Sequence, residues 1–215
     1  MNFVMSYSCG KDSTLALHRM VADGHIPVGL LIMINEEADR SWFHGVDEDL
    51  LHQISESLNI PLILCRSKGD DYLIQFENGL LEAKNRGAEC CVFGDIDIED
   101  NAAWCRERCN HMGLTPVFPL WQQGRENLTH EFISLGYIGL IKCVRHADLP
   151  KTLLGKPLDD DAIAIMKSHN IDICGENGEY HTLVVSGPLF RFPLNIACKE
   201  ILDFTNISAV NIVAQ

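Results

Sequence analysis

The chain has 215 residues, 47% of them hydrophobic and 22% charged, with a formal net charge of -13. That composition supports a buried core and excludes a disordered chain, and no apolar run reaches the length of a membrane span. The acidic balance argues against nucleic acid as the main partner, since nucleic acid calls for a basic face. The opening MNFVMSYSCGKDS shows no basic segment and no cleavage-like end, so no secretory signal is expected. Nine cysteines, an odd number with no C-x-x-C spacing, read as reduced thiols in a cytoplasmic protein.

In chain order, Asn2–Tyr7 is a short apolar run of β-formers and reads as a strand. From Ser13 the spacing of Leu15, Leu17, Met20 and Val21 is helical and stops at Gly24. Pro27–Ile34 is continuously apolar, the mark of a strand buried on both faces. A helix over Val46–Leu58, a strand over Pro61–Cys65, a helix over Tyr72–Gly87, a strand over Cys90–Asp95, a helix over Asn101–Gly113 and a strand over Thr115–Trp121 follow. This alternation predicts an α/β fold: a doubly wound, mainly parallel, Rossmann-like sheet. Beyond residue 121 the rhythm loosens. A helix carries Phe132, Ile133 and Leu135, Tyr137–His146 reads as a strand, and Asp159–Asp161 open a further helix with charges that suit its dipole. The expected division is 1–122 and 123–215, the second a smaller α/β part.

Ligands of such sheets lie beyond the carboxyl ends of the strands, near the switch in strand order. Three stretches fall there: the loop after strand one, Asn35–Glu37 and Gly94–Asp97. In the first, Ser8-Cys9-Gly10-Lys11-Asp12-Ser13 lacks the spacing of the commonest triphosphate loop, G-x-x-x-x-G-K-[ST]. A strand–turn–helix still aims backbone amides and a helix dipole at one point, which makes an anion site. Gly10 allows close approach, Ser8 and Ser13 offer hydroxyls and Lys11 a charge. Asp12 beside a phosphate requires a cation such as Mg²⁺ between them; alternatively Asp12 or Ser13 simply caps the helix. Cys105 and Cys109 lie one helical turn apart near His111, but no further ligands stand in register for zinc, so two helix-face thiols are expected.

The loop resembles the S-G-G-x-D-S loop of the N-type ATP pyrophosphatases, with Cys9 where glycine is usual. Phe43–Gly45, Phe93–Ile96, Pro116–Trp121, Leu153–Gly155 and above all CGENGEYHTLVVSGPLF, Cys174–Phe190, narrow the resemblance to the diphthine–ammonia ligase family, over nearly the whole chain and in its short, stand-alone form. The resemblance implies an adenine nucleotide alpha hydrolase-like sheet and an amide ligase. In that reading a carboxylate attacks the α-phosphorus of ATP, pyrophosphate leaves, and ammonia displaces AMP. The carboxylate is diphthine on elongation factor 2 in an archaeal or eukaryotic source, and another carboxylate otherwise. ATP and pyrophosphate contacts then fall to Ser8, Cys9, Gly10, Lys11, Asp12, Ser13, His44, Gly94 and Asp95, with Mg²⁺ on Asp12 and Asp95. Lys11, Asp12, Glu176 and Glu179 are the implied catalytic set. Glu176, Glu179, Tyr180, His181 and Thr182 are the implied substrate contacts, the acidic pair holding a cationic group or ammonium. Two rivals stand: an ATP-dependent tRNA-modifying thiolase or ligase of the same superfamily, with Cys143 and Cys174 as its thiols, and an ATP-binding sensing module that needs no second motif beside the loop. A homodimer through a sheet edge is a further expectation.

Overall fold

The computed structural model describes residues 1–42 and 44–215. Strands β1 (Asn2–Ser6), β2 (Ile26–Asn35), β3 (Arg40–Ser41), β4 (Leu62–Ser67), β5 (Cys90–Val92) and β6 (Thr115–Val117) form the first sheet. Five of them run parallel in the order β4-β2-β1-β5-β6, and β3 adds antiparallel to the end of β2. The chain steps outward from β1 to β2 to β4, then returns across β1 to β5. The switch in strand order therefore lies between β1 and β5.

Right-handed crossovers then place helices α1 (Lys11–Ala22) and α2 (Glu48–Leu58) on one face, and α3 (Tyr72–Asn85) and α4 (Glu99–Met112) on the other. Side chains alternate between faces along a strand. Phe3, Met5, Leu30, Ile32 and Ile34 pack with Leu15, Leu17, Leu50 and Ile54 of α1 and α2. Val4, Leu31, Met33 and Cys91 pack with Phe76, Leu80, Cys105 and Cys109 of α3 and α4. Both faces are covered, which is why β2 reads as an unbroken apolar run.

After α5 (Arg125–Ser134), a second sheet is made of β7 (Ile138–Arg145), β8 (Tyr180–Ser186), β9 (Ile196–Asp203) and β10 (Ile207–Ala214), antiparallel in the order β8-β7-β10-β9. Helix α6 (Asp160–Ser168) and a 3₁₀ turn at Lys151–Leu153 cover one face through Leu153, Ile163 and Met166. On the other, Leu183, Val210 and Ile212 join the core of α1 and α2. The α1–α2 layer thus serves both sheets.

The helices fall close to expectation, and Asp159 caps α6 by accepting from the amide of Ala162, with Asp160 and Asp161 in its first turn. The strand expected over 90–95 stops at Val92, leaving Phe93–Asp95 as a loop, and the one over 115–121 stops at Val117 before Pro119, which has no N–H to continue a ladder. The two-residue β3 was not foreseen. Cys105 and Cys109 are buried core thiols, whereas the exposed His111 pairs with Glu77. Trp121 sits with Phe118 around Arg106, away from the cavity described below. Among the described residues no helix is long and apolar enough to cross a membrane.

Candidate active site

The first loop leaves β1 at the switch point and enters α1 at Lys11. Cys9 takes a left-handed conformation, φ 68°, which L side chains pay for and glycine does not. Its thiol is fully buried, and burial pushes its pKa well up, so it is no nucleophile. Ser13 Oγ donates to the carbonyl of Gly10 at 3.1 Å and lies 3.0 Å from Ser8 Oγ. Lys11 is buried, with Nζ 2.6 and 2.8 Å from the two oxygens of Asp12. Burial opposes its charge, but Asp12, Cys174, Tyr180 and Glu176 outweigh burial and hold its pKa above the usual value.

The amides of Asp12 and Ser13 have no acceptor among the described residues, as expected for the open N-terminus of a helix. Gly94 approaches them from the end of β5. A Cβ there would sit 2.8 Å from Ser13 N and 2.9 Å from the carbonyl carbon of Asp12. The bare backbone at Gly94 therefore packs directly against the first turn of α1, where no side chain would fit.

The Cys174–Thr182 loop comes to the same place from the second sheet. Cys174 Sγ lies 3.8 Å from Asp12 Oδ1, and one ligand atom each from Asp12, Cys174 and Glu176 falls within 4.8 Å of the others. Between the loops lies a cavity of about 690 Å³. Ser8, Asp12, Ser13, Gly94, Asp95, Glu176, His44 and His181 form its polar end, and Met33, Trp42, Tyr72, Phe76 and Trp104 its aromatic end. Small-molecule sites are commonly of this size and make-up, mostly apolar with a few convergent polar groups.

The carboxyls of the polar end are biased towards their protonated forms. Burial raises the Asp95 carboxyl to about 6 and the Glu176 carboxyl to about 7, and the charge of Asp12 adds to both. The histidines are neutral. Burial pushes His44 down to about 3, helped by His181, and burial also lowers His181. His44 donates Nδ1–H to the carbonyl of Thr182 at 2.6 Å, and its ring lies 5.0 Å from that of His181.

The expected site residues thus divide. Ser8, Asp12, Ser13, His44, Gly94, Asp95, Glu176 and His181 line the cavity. Cys9, Gly10 and Lys11 lie behind it; a Cβ on Gly10 would strike His44 Cε1 at 2.6 Å. Glu179, Tyr180 and Thr182, expected as substrate contacts, do not line the cavity, and each has a partner elsewhere. Both Glu179 oxygens accept from Asn177, one from its amide and one from its side chain. Tyr180 donates its hydroxyl to the carbonyl of Ile173. Thr182 Oγ1 accepts from the amide of Lys11 at 3.0 Å. Asn35 forms a local turn with the amides of Glu37 and Ala38, and Phe43 lies outside the described residues.

Sequence reading missed Arg125. It opens α5, holds Asp97 with Nε and Nη2 at 2.7 Å each, and reaches Asp172 at 2.6 Å. It ties the loop carrying Asp95 to the loop carrying Glu176. A lone arginine in a Gly-Arg-Glu turn carries no signal of two carboxylates 28 and 47 residues away. The aromatic end was missed too, because Trp42, Tyr72 and Trp104 meet only through the fold.

A doubly wound α/β sheet with two acidic loops meeting at its switch point is the frame of a small-ligand enzyme site. Residues 1–116 match the family described as diphthamide synthase N-terminal domain, and residues 124–213 match diphthamide synthase C-terminal domain. The chain belongs to the diphthamide synthase family. It is 26% identical to the diphthine–ammonia ligases of Bos taurus and Homo sapiens, over 91% of this chain and 82% of each relative. The Schizosaccharomyces pombe protein of that name is also 26% identical over 93% of this chain, which spans 36% of its length. A solved chain described as a "predicted subunit of tRNA methyltransferase" from Methanocaldococcus jannaschii aligns over 87% of this chain and 98% of its own length at 15% identity, with a TM-score of 0.46.

Proposed function

We propose that the chain is an ATP-dependent ligase that joins ammonia to a carboxylate, releasing AMP and pyrophosphate. The observation that carries this reading is the meeting of the Ser8–Ser13 loop and the Cys174–Thr182 loop at one cavity. The first part, 1–122, holds the nucleotide and the second, 123–215, presents the acceptor. The β- and γ-phosphates lie in the polar end of the cavity at the start of α1, beside Gly94 and the hydroxyls of Ser8 and Ser13. The adenine enters the aromatic end. Lys11 leaves Asp12 for the phosphates when these arrive.

A carboxylate oxygen attacks the α-phosphorus; the bond to the bridging oxygen breaks and pyrophosphate departs. Ammonia then attacks the acyl carbon, AMP leaves, and one proton from nitrogen must be taken up. Glu176, at the cavity wall beside Asp12, binds ammonium and takes one proton from it to free ammonia, releases that proton to solvent, and then accepts the second proton that the nitrogen loses after attack. Asp12 and Asp95 fit a Mg²⁺ ion, since their carboxylates face a site meant for phosphates. Such an ion would neutralise charge on the phosphate oxygens. The relatives' name makes diphthine the first acceptor to test, and a protein-borne carboxylate its general class.

Two rivals are less well supported. A sensing module needs no second motif at the loop, yet the two motifs meet. A thiolase needs thiolates, whereas burial raises Cys174 to about 12 and raises Cys143 as well. The test is the identity of the nucleotide products. Protein, ATP, Mg²⁺ and ammonium are incubated with and without a desalted lysate, with Asp12→Ala as control. AMP and pyrophosphate that depend on Asp12 and on the lysate are expected; ADP and phosphate would overturn the reading.

A further inference from the structure

The phosphate loop is held by its own serine hydroxyls and, at the start of α1, from outside. Gly10, at the N-cap position of α1, has no side chain to offer, and the helix carries no side-chain cap of its own. The residues most favoured there are Ser, Thr, Asp and Asn, which satisfy an otherwise orphaned amide. In this chain the missing hydroxyl comes from 171 positions away: Thr182 Oγ1 accepts from Lys11 N at 3.0 Å. One further bond joins the same strand to the same loop, and another joins it to His44. The amide of Val184 donates to the carbonyl of Cys9 at 2.9 Å, and the carbonyl of Thr182 holds the His44 ring at 2.6 Å. That ring packs on Gly10. Strand β8 thus grips the loop at Cys9, at Lys11 and, through His44, at Gly10. Of the residues in these contacts only His44 lines the cavity; Cys9, Gly10, Lys11, Thr182 and Val184 lie behind it.

We propose that Thr182 is a positioning residue for the phosphate loop, capping α1 from β8 so that the Asp12 and Ser13 amides face the nucleotide. The inference rests on the reading of that loop as a phosphate site. It makes the second sheet a structural part of the nucleotide site, and it gives the threonine a role distinct from substrate contact. The physical basis is simple. The alternative to the Thr182 hydroxyl is a buried, unsatisfied Lys11 N–H, which the loop would relieve by shifting.

Two measurements test this. The first needs no substitution: amide hydrogen exchange of the wild-type chain, resolved by residue. The Lys11 amide should exchange as slowly as that of Thr14, while those of Asp12 and Ser13 exchange fast; a Lys11 amide as labile as its two successors would overturn the cap. The second compares Thr182→Val with Thr182→Ser, binding ATP, inorganic pyrophosphate and adenosine to each. Thr182→Val should weaken ATP and pyrophosphate about five- to thirtyfold, the size of a lost cap, and leave adenosine unchanged. Thr182→Ser should restore both. Equal losses for all three ligands, or a serine variant as weak as valine, would reduce Thr182 to a packing residue and overturn the proposal. A wild-type chain that binds neither ATP nor pyrophosphate would instead sink the phosphate reading. A protected Lys11 amide with unaltered pyrophosphate binding in Thr182→Val would sink only the positioning role.

Discussion

Lys142 offers a test of how the two sheets are joined. It lies on β7, 4% exposed, with Nζ 3.4 Å from the carbonyl of Val210 and no carboxylate within ion-pair distance among the described residues. Burial lowers its pKa from 10.5 to about 8; Arg40 lowers it further, while Asp47, Cys143 and Cys198 act in the opposite sense. A difference of that size corresponds to about 3 kcal/mol of destabilisation when the lysine is charged. The direction with pH is fixed. Below about 8 the folded and unfolded chains both hold the proton, and the penalty is complete. Between about 8 and 10.5 the unfolded chain holds a proton that the folded chain has lost, so stability rises with pH. Lys142→Met keeps the shape and removes the charge. At pH 7 the variant should be more stable than wild type by up to about 3 kcal/mol, and at pH 10 by about 1 kcal/mol. Urea unfolding of both chains at the two pH values measures this, and the buried thiols and tyrosines cancel in the comparison. A variant less stable at pH 7, or a gap that does not shrink, would refute the account of Lys142 as an uncompensated buried cation.

Gly94→Ala places a methyl 2.8 Å from Ser13 N and 2.9 Å from the backbone of Asp12. Nucleotide affinity should fall more than about tenfold, a loss of over 1.4 kcal/mol, with far-ultraviolet circular dichroism unchanged; normal affinity would remove Gly94 from the phosphate site. Arg125→Met leaves Asp97 and Asp172 without their shared cation. Allowing for its partial exposure, about 1–2 kcal/mol of stability should be lost in urea titrations, and less if the pairs are screened. Glu179→Gln breaks a turn and touches no cavity wall. It should lower stability by about 1 kcal/mol and leave AMP formation within about twofold; lost turnover in a folded variant would restore the chemical role first expected for Glu179. Cys9→Gly relieves the left-handed strain that Cys9→Ala retains, so the glycine variant should melt no lower than the alanine variant despite its smaller side chain.

The fold was largely legible because each strand and helix of the first sheet carries its own periodicity. Pro27–Ile34 has no polar interruption because both of its faces are covered, by α1 and α2 on one side and α3 and α4 on the other. The errors fell where tertiary context decides. Phe93–Asp95 has strand-like residues, but Gly94 must leave the ladder to approach α1. The pair Arg40–Ser41 is too short for a period and forms a strand only because the edge of β2 beyond β1 would otherwise lie open.

The site was legible in part, and the division follows from how each residue acts. Asp12, Ser13 and Gly94 could be read because a strand end, a tight turn and a helix start are local events. Glu176 could be placed only with the help of a long polar motif, and the same motif did not set it apart from Glu179, Tyr180 and Thr182, which do not line the cavity. A motif marks residues that must stay together without saying which of them face the ligand. Here Glu176 and His181 line the cavity, while Glu179 shapes the turn, Tyr180 braces Ile173 and Thr182 caps the opposite loop. Spacing along β8 explains part of this. Alternate residues of a strand point to opposite sides, so His181 meets the cavity while Tyr180 packs into the core under α6. The side of β8 on which each residue lies could be read only once the register against β7 was known.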